Sequence, residues 1–369
     1  KRLSKKDALA LIKQFSSQSS VGSQTFNIHP LVHINTSDIN SQSYRTTLTG
    51  EEFFLKDHQV HDQKILPAVA YLEMARAAVE DAIPAKLEST ILELHNIVWA
   101  QPFAVSDPRD INIRLFSNDS DTSSHAQIDF EIYSKDAGND VIHCQGQAVL
   151  INKPVLSKVD MGQLKGQMKN GKLEAFDVYP VFEKMGAKFG PSHQGIKTIF
   201  QGDRQAVSAL CLATGGASSQ NDYLLHPSLM DGAIQSSIGL FGDVNTLDPQ
   251  PSLPFALDSL SVISPCSREM FAWVRYSQQS QPEDRLEKFD IDLCDNEGNI
   301  CVQMKGYSSR TLFADNNAAK AKDPQYGTVL ATPVWLADGI AVSKESSCVF
   351  AQHHIILYET QSVDAGQLE

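Results

Sequence analysis

The sequence of 369 residues contains no apolar stretch near the roughly 20 residues that a membrane-spanning helix needs. It is also poor in cations, because 31 Lys and Arg stand against 44 Asp and Glu, which gives a net charge of -13 at pH 7. Proteins that grip phosphate backbones need clustered Lys and Arg, and the one dense basic run, residues 1–6, is short. We therefore predict that the protein binds neither a membrane nor nucleic acid.

Cysteine and several cofactor motifs are also scarce. Six cysteines are scattered without C-x-x-C spacing, which disfavours both a zinc site and a disulfide framework and favours reduced thiols in the cytoplasm. There is no GxSxG nucleophile elbow, and no GxGxxG run opens a helix after a strand. The sequence therefore predicts neither a metal site nor a serine nucleophile of the hydrolase type.

The chain instead contains one pattern of predicted secondary structure that occurs twice. In the first half an apolar helix follows Pro67, and alternating apolar and polar residues at 128–133 and 142–150 predict strands. In the second half an apolar helix follows His226, and the alternation returns at 289–294. Helices that are apolar nearly all round are expected to be buried. The pattern predicts an α+β fold in which two antiparallel sheets, each wrapped around a central helix, fuse in one chain.

Composition predicts five segments along the chain. They are an N-terminal linker (1–26), a first lobe (27–155), an inter-lobe linker (156–172), a second lobe (173–315) and a tail (316–369) that starts a following domain. Local patterns add strands at 28–34 and 44–54, a polar crossing at 153–172 and a short helix at 180–185.

His58 is the first candidate for chemistry. It is expected to end a strand, just before a polar turn and a buried helix that starts at Pro67. An imidazole titrates near neutrality and suits the removal of a proton from carbon beside a thioester. The free N–H groups of the following helix, from Ala68 onward, would polarise a substrate carbonyl. The alternative is a structural histidine, which is the commoner role for a lone histidine before a helix.

Asp231 is the second candidate, because it lies inside an apolar helical segment. A buried carboxylate without a partner is costly and tends to stay protonated, which would make Asp231 a proton donor for a leaving hydroxyl. Gln235 follows four residues later, on the same helical face, and is expected to orient Asp231 by a hydrogen bond. The alternative makes Asp231 a capping residue and leaves Gln235 exposed. Among the other histidines, none of which has metal-site spacing, His193 is expected to line a cleft or to be structural.

Together these residues resemble the dehydratase domains of modular polyketide synthases, a family built as a double hot-dog. The family pattern HxxxGxxxxP is matched by His58 and Pro67, with Asp62 where glycine is usual. The pattern HPxxxDxxxQ is matched by His226, Pro227, Asp231 and Gln235. Two further blocks, YGPxFxGI and LPF, are approached at residues 189–196 and 253–255. The four blocks keep the family's order over about residues 27–315.

Two more stretches refine the resemblance. Residues 29–33 together with 50–58 look like the subgroup from assembly lines whose acyltransferases act in trans. Residues 332–335 are similar to the start of a ketoreductase structural subdomain, which would follow the dehydratase in a multienzyme of secondary metabolism, such as antibiotic biosynthesis.

The resemblance implies syn or anti loss of water from a β-hydroxyacyl thioester held on an acyl carrier protein. His58 would take the α-proton, Asp231 would protonate the β-hydroxyl, and Gln235, Pro67, Ala68 and Asp62 would support them. It implies no metal or cofactor of the domain's own, since the phosphopantetheine arm belongs to the carrier protein. A homodimer is expected. The implied substrate tunnel would be lined by Phe189, Gly190, Pro191, His193, His226, Pro254 and Phe255.

Three departures from the family pattern stand near these residues. Asp62 adds a charge beside the base and is expected either to shift the turn or to raise the basicity of His58. Phe189 replaces a tyrosine and so removes a hydroxyl, and His193 replaces a phenylalanine and adds a second imidazole.

Three alternatives to simple dehydration remain open. The first is a shift of the double bond from the α,β to the β,γ position, which needs a base but can dispense with the acid. The second is closure of a cyclic ether after dehydration. The third is an inactive scaffold that docks the carrier protein, which the presence of both His58 and Asp231 disfavours.

Overall fold

The computed structural model describes residues 27–311, apart from residue 40 and residues 84–89, 118–126, 155–156, 214–221, 243–251 and 279–286. All described residues belong to one compact unit. The predicted linker at 1–26 and the predicted tail at 316–369 lie outside the described residues.

The described helices and strands alternate along the chain in two similar halves. The helices are α1 (Phe53–Lys56), α2 (Ala68–Ala82), α3 (Met161–Gln167), α4 (Ala175–Lys184) and α5 (Pro227–Gln235), with 3-10 turns at Pro191–His193 and Ser236–Leu240. The strands of the first half are β1 (Ile34–Asn35), β2 (Gln42–Leu48), β3 (His58–Val60), β4 (Gln63–Lys64), β5 (Thr90–Trp99), β6 (Arg109–Ser117), β7 (Gln127–Asp136) and β8 (Asn139–Asn152). Those of the second half are β9 (Gly171–Glu174), β10 (Ala187–Phe189), β11 (Ile196–Gln201), β12 (Gln205–Cys211), β13 (Ser252–Val262), β14 (Glu269–Tyr276), β15 (Lys288–Cys294) and β16 (Ile300–Thr311).

Thirteen of these strands form one antiparallel sheet that runs through both halves. Its order is β1-β2-β6-β7-β8-β5-β13-β16-β15-β14-β12-β11-β9, so the first six strands come from the first half and the last seven from the second. The halves meet where β5 pairs with β13, with Val98 opposite Ala256 and Glu93 opposite Ser261. The predicted fusion of two sheets is confirmed, and the described fold is the α+β double hot-dog.

The two long apolar helices form the centre of each half. Every residue from Val69 to Val79 of α2 is buried, and all nine residues of α5 are buried. Ala, Leu and Met favour the helical conformation in α2, and a helix that is apolar on all sides is stable only when other elements cover it. The helices α2 and α5 also contact each other, so the cores of the two halves are continuous.

Several local predictions were wrong in their boundaries. Of the predicted strand at 28–34, only Ile34 belongs to a strand, β1, and the predicted strand at 44–54 ends at Leu48. Phe53 instead begins α1, where the helical turn lets it pack beside Phe54 and Tyr223. His58 consequently begins a strand rather than ending one.

Capping explains two further differences. The helix predicted at 180–185 is α4, which begins at Ala175 because Glu174 and Asp177 form a capping box around its first turn. The polar crossing contains α3, whose first turn is capped by Asp160 accepting from the N–H of Gln163 at 2.9 Å. Polar residues in these stretches therefore start helices rather than loops.

Glu73 of α2 links the two halves of the fold through hydrogen bonds. Its carboxylate accepts from Arg76 Nε at 2.6 Å and Arg76 Nη2 at 2.9 Å, and His29 Nε2 lies 3.2 Å from it. It also accepts from the backbone N–H groups of Leu224 at 2.8 Å and Leu225 at 3.2 Å, just before α5. Burial alone would raise the pKa of Glu73, but His29 and Arg76 hold it below its ordinary value. An ionised Glu73 in the first half therefore fixes the segment that leads into α5.

We expect Glu73→Gln to lower the free energy of unfolding by about 3–5 kcal/mol, because it leaves the Arg76 charge buried beside a neutral partner. Urea unfolding followed by circular dichroism measures this loss. The matched control is Glu80→Gln, since Glu80 also pairs with Arg76 but is 29% exposed. The control should lose about 0.5 kcal/mol or less, as is usual for an i,i+4 pair near solvent. Equal losses in the two variants would contradict this role of Glu73.

Candidate active site

His58 lies on a small sheet that both halves build. Its strand β3 pairs with β4 from the first half and with β10 from the second half, where Phe189 stands opposite His58. The Phe189 and His58 rings are 5.5 Å apart. The strand that carries the candidate base is therefore held against the second half by backbone hydrogen bonds.

One hydrogen bond sets the tautomer of His58. Its Nδ1 is 2.8 Å from the carbonyl oxygen of Ile65, and a carbonyl can only accept, so Nδ1 carries the hydrogen. The other ring nitrogen, Nε2, then holds a lone pair in the neutral ring. Burial is the largest effect on this imidazole and lowers the pKa of His58, while the negative charge of Asp231 acts in the opposite direction. His58 is thus a neutral ring at pH 7, with Nε2 able to take a proton.

Asp231 lies in the middle of the buried helix α5 and is 7% exposed. Gln235 Nε2 donates to its Oδ2 at 2.7 Å, as the i,i+4 spacing predicts, and Gln235 is itself buried. His193 Nδ1 lies 2.9 Å from the same oxygen. The predicted contact between Gln235 and Asp231 is confirmed, and the partnership with His193 is an addition that the sequence did not reveal.

The partners of Asp231 correct one prediction from the sequence. A buried carboxylate without partners would stay protonated, and burial does act to raise the pKa of Asp231. The hydrogen bond from His193, the electrostatic influence of the two nearby imidazoles and the hydrogen bond from Gln235 outweigh burial and lower the pKa of Asp231 below its ordinary value. Without substrate, Asp231 therefore favours its ionised form. It must gain a proton before it can act as an acid.

His193 brings the two candidate residues together. Its ring centroid is 5.4 Å from that of His58, while its Nδ1 contacts Asp231. The ring is fully buried and stacks between Phe53 at 6.4 Å and Phe189 at 6.5 Å. The imidazole of the first half, the carboxylate of the second half and His193 thus form one cluster at the junction of the halves.

Asp57, which was not among the predicted site residues, positions the turn that carries His193. The backbone of Asp57 accepts from the N–H of Gly190 at 2.8 Å, and its side chain accepts from the N–H of Ser192 at 2.9 Å. A Cβ on Gly190 would lie 2.3 Å from Asp57 Oδ1, so only glycine fits there. The signal in the sequence was the pairing of an aspartate beside the base with a Gly-Pro turn far along the chain.

Asp62 does not act on the base as expected. Its carboxylate is 78% exposed and accepts from Lys188 Nζ at 2.6 Å, and it is absent from the groups that shift the pKa of His58. Both His61 and Asp62 have positive φ angles, 48° and 61°, in the turn between β3 and β4. Glycine is usual there because this conformation suits it, and aspartate is one of the residues that tolerate it. Asp62 therefore lies in a left-handed turn.

Three other predicted site residues have local structural positions. His226 is the N-cap of α5, where its Nδ1 accepts from the N–H of Ser228 at 3.2 Å, and burial lowers the pKa of His226 to about 4. Pro67 is the N-cap of α2 rather than its first residue, and Ala68 begins the helix. The N-terminus of α2 follows Ile65, the partner of His58, by three residues.

The predicted tunnel residues separate into two groups. Phe189, Gly190, Pro191 and His193 lie on β10 and the turn after it, next to His58 and Asp231. Pro254 and Phe255 lie instead on β13, at a register shift where it pairs with β16. Within the described residues, no hydrogen bond or ring contact joins these two to His58 or Asp231. The structure therefore brings these four, together with His226 at the N-cap of α5, to the candidate site and places the LPF block on β13, the strand that joins the second half to the first.

Two absences apply to the described part of the chain only. No three His, Cys, Asp or Glu side chains there are placed to hold a metal ion together. No helix there is long and apolar enough to cross a membrane.

Comparison with known proteins identifies one family along most of the described chain. The family model of the polyketide synthase dehydratase domain matches residues 29–135, and the model of the polyketide synthase dehydratase N-terminal domain matches residues 164–319. Polyketide synthase PksM of Bacillus subtilis is 36% identical over 352 residues, covering 91% of this chain but 8% of that protein. Polyketide synthase PksN of the same organism is 36% identical, covering 89% of this chain and 6% of that protein. The chain thus spans less than a tenth of these relatives.

Solved structures give the same result for the fold. A trans-AT PKS dehydratase domain from Brevibacillus brevis is 40% identical with a TM-score of 0.72, covering 78% of this chain and 99% of that chain. The dehydratase domain of RzxB from Pseudomonas fluorescens is 25% identical with a TM-score of 0.66, covering 77% of this chain and 99% of that one. The resemblance inferred from the sequence is confirmed.

We expect His58 to titrate below its ordinary imidazole pKa, and Asp231→Asn to lower the pKa of His58 further, because it removes a negative charge that favours the imidazolium. NMR titration of histidine-labelled protein measures both values. Asp62→Asn is the matched control, since that carboxylate pairs with Lys188 in solvent, and it should leave the titration of His58 unchanged. A rise in the pKa of His58 in Asp231→Asn would contradict the electrostatic coupling across the junction.

Proposed function

The chain belongs to the polyketide synthase dehydratase family, and from this premise we propose that it removes water from a β-hydroxyacyl thioester carried on an acyl carrier protein. The product is the α,β-unsaturated enoyl thioester, so the enzyme class is hydro-lyase. The single observation that carries the proposal is the cluster in which His58 from one half and Asp231 from the other meet through His193. Removal of a proton and a hydroxyl from one chain requires a base and an acid that reach the same substrate.

His58 is the proposed base. Its neutral form at pH 7 and its fixed Nδ1–H leave Nε2 as the atom that takes the α-proton. As the proton leaves, negative charge develops on the thioester carbonyl oxygen. The N-terminal N–H groups of α2, at Ala68 and Val69, follow Ile65, the hydrogen-bond partner of His58, along the chain and are proposed to stabilise that charge through the helix dipole.

Asp231 is the proposed acid. We propose that it becomes protonated when substrate binds. An acyl chain that fills the site removes the remaining water from Asp231, and loss of water favours the neutral carboxylic acid. Asp231 then gives its proton to the β-hydroxyl as the carbon–oxygen bond breaks. The products are water, the enoyl chain, protonated His58 and the Asp231 carboxylate, so the proton count is conserved. Gln235 stabilises that carboxylate.

The proposed partners follow from the substrate. The acyl carrier protein presents the chain on its phosphopantetheine arm, and neighbouring synthase domains would supply the β-hydroxyacyl group and use the enoyl product. A homodimer and a cytoplasmic location are part of the proposal, and the scattered cysteines without C-x-x-C spacing favour reduced thiols.

The proposal predicts that the wild-type protein removes the mass of one water from a carrier-bound β-hydroxyacyl chain. His58→Ala and Asp231→Asn should each slow this loss by about 10²- to 10⁴-fold, the usual contribution of one general acid or base. Mass spectrometry of the carrier protein over time measures the rates. Asp62→Asn is the control and should keep the wild-type rate, because its side chain lies in solvent.

The same assay separates the alternatives. If no water is lost, but an enoyl substrate in deuterated solvent gains label at the γ-carbon through His58 alone, the protein is a double-bond isomerase. Appearance of a cyclic ether of the enoyl mass would indicate an added cyclase step. No change with either substrate would overturn the catalytic proposal and leave a scaffold.

A further inference from the structure

Both described side-chain donors to Asp231 meet the same oxygen. His193 Nδ1 and Gln235 Nε2 lie 2.9 Å and 2.7 Å from Oδ2, and the three side chains are buried. Two N–H donors use both lone pairs of that oxygen, so a proton carried by Asp231 has to sit on the other oxygen, Oδ1. We propose that His193 is a positioning residue that, with Gln235, confines the transferable proton of Asp231 to Oδ1. This inference rests on the proposed function and adds a residue outside the family's pattern.

The position of His193 is fixed by packing as well as by hydrogen bonding. Its ring stacks between Phe53 and Phe189 at interplanar angles of 30° and 18°, and its backbone carbonyl accepts from Gln235 Nε2 at 3.3 Å. Its other ring nitrogen, Nε2, is buried and has no hydrogen-bond partner among the described residues. A second hydrogen on that nitrogen would be buried without an acceptor, so the ring is suited to act as a steady Nδ1–H donor.

This arrangement makes a specific contribution to the reaction. When Oδ1–H gives its proton to the departing hydroxyl, the negative charge that remains on Asp231 is met by donors already in place on Oδ2. Donors that need not reorganise stabilise a transition state more than the ground state. Gln235 alone would supply one such donor, and His193 supplies the second.

Other ionisable groups lie near Asp231, but they do not obscure its titration. Burial lowers the pKa of His226 to about 4 and raises the pKa values of Tyr179 and Tyr307, so all three stay neutral through the working range. The groups that face His193 and Asp231 from neighbouring elements are His58 on β3, His226 at the N-cap of α5, Tyr179 on α4 and Tyr307 on β16. His58 and Asp231 are therefore expected to dominate the pH profile.

Two substitutions at His193 separate hydrogen bonding from packing. His193→Phe keeps a ring between the two phenylalanines but removes the donor, and it restores the residue that is usual in the family pattern. We expect a loss in kcat of about 10- to 100-fold with KM unchanged, as for loss of a hydrogen bond to a charged group. The pKa of Asp231 should rise, so the alkaline limb of kcat moves to higher pH. His193→Asn keeps an N–H near the place of Nδ1 and should recover both properties.

The experiment combines single-turnover dehydration at several pH values with carbon NMR titration of the Asp231 carboxyl group, assigned with Asp231→Asn. Wild-type kcat and an unmoved Asp231 titration in His193→Phe would overturn the inference. If His193→Phe and His193→Asn lose kcat equally and the pKa of Asp231 does not change, His193 acts only through packing. That result would also overturn the inference. Thermal unfolding of each variant shows that the comparison is between folded proteins. If the wild-type protein removes no water from the substrate, the proposed function fails. The NMR titration still decides whether the hydrogen bond from His193 acts on Asp231.

Discussion

The burial of the Asp231 carboxylate is the constraint on which the rest of the site depends. A charge removed from water is tolerated in a protein only when other groups replace the lost hydration. Here Gln235, one helical turn along α5, and His193, on a separate turn, both donate to Oδ2. His193 keeps its place because Asp57 of the first half holds the Gly190–Ser192 backbone. A carboxylate in one half is therefore stabilised by a turn whose position the other half determines.

The fold supplies the rigidity that this dependence requires. The pairing of β5 with β13 makes one sheet of the two halves, and the small sheet of β10, β3 and β4 adds a second connection beside His58. In addition, Glu73 of α2 accepts hydrogen bonds from the backbone that leads into α5. These three links connect the two halves, and so they fix the proposed base in one half relative to the proposed acid in the other. Such preorganisation is the main contribution that a protein makes to acid–base chemistry.

Sequence patterns anticipated the features that depend on local spacing. Apolar periodicity predicted α2 and α5, alternation predicted the antiparallel strands, and the i,i+4 spacing predicted the contact of Gln235 with Asp231. Contacts between distant residues were beyond such reasoning. The lowered pKa of Asp231 depends on His193, 38 residues away in sequence, and on a turn held by Asp57. The exposed position of Asp62 likewise follows from the left-handed turn and from Lys188, which lies 126 residues further along the chain.

We propose that His58 and Asp231 act on one substrate as a unit, although they belong to different halves of the fold. The most direct test compares dehydration rates of the two single variants, His58→Ala and Asp231→Asn, with the rate of the double variant. Residues that act together in one transition state give strongly non-additive losses. We expect the double variant to be about as slow as the slower single variant. Losses that multiply would instead show that the two residues act independently.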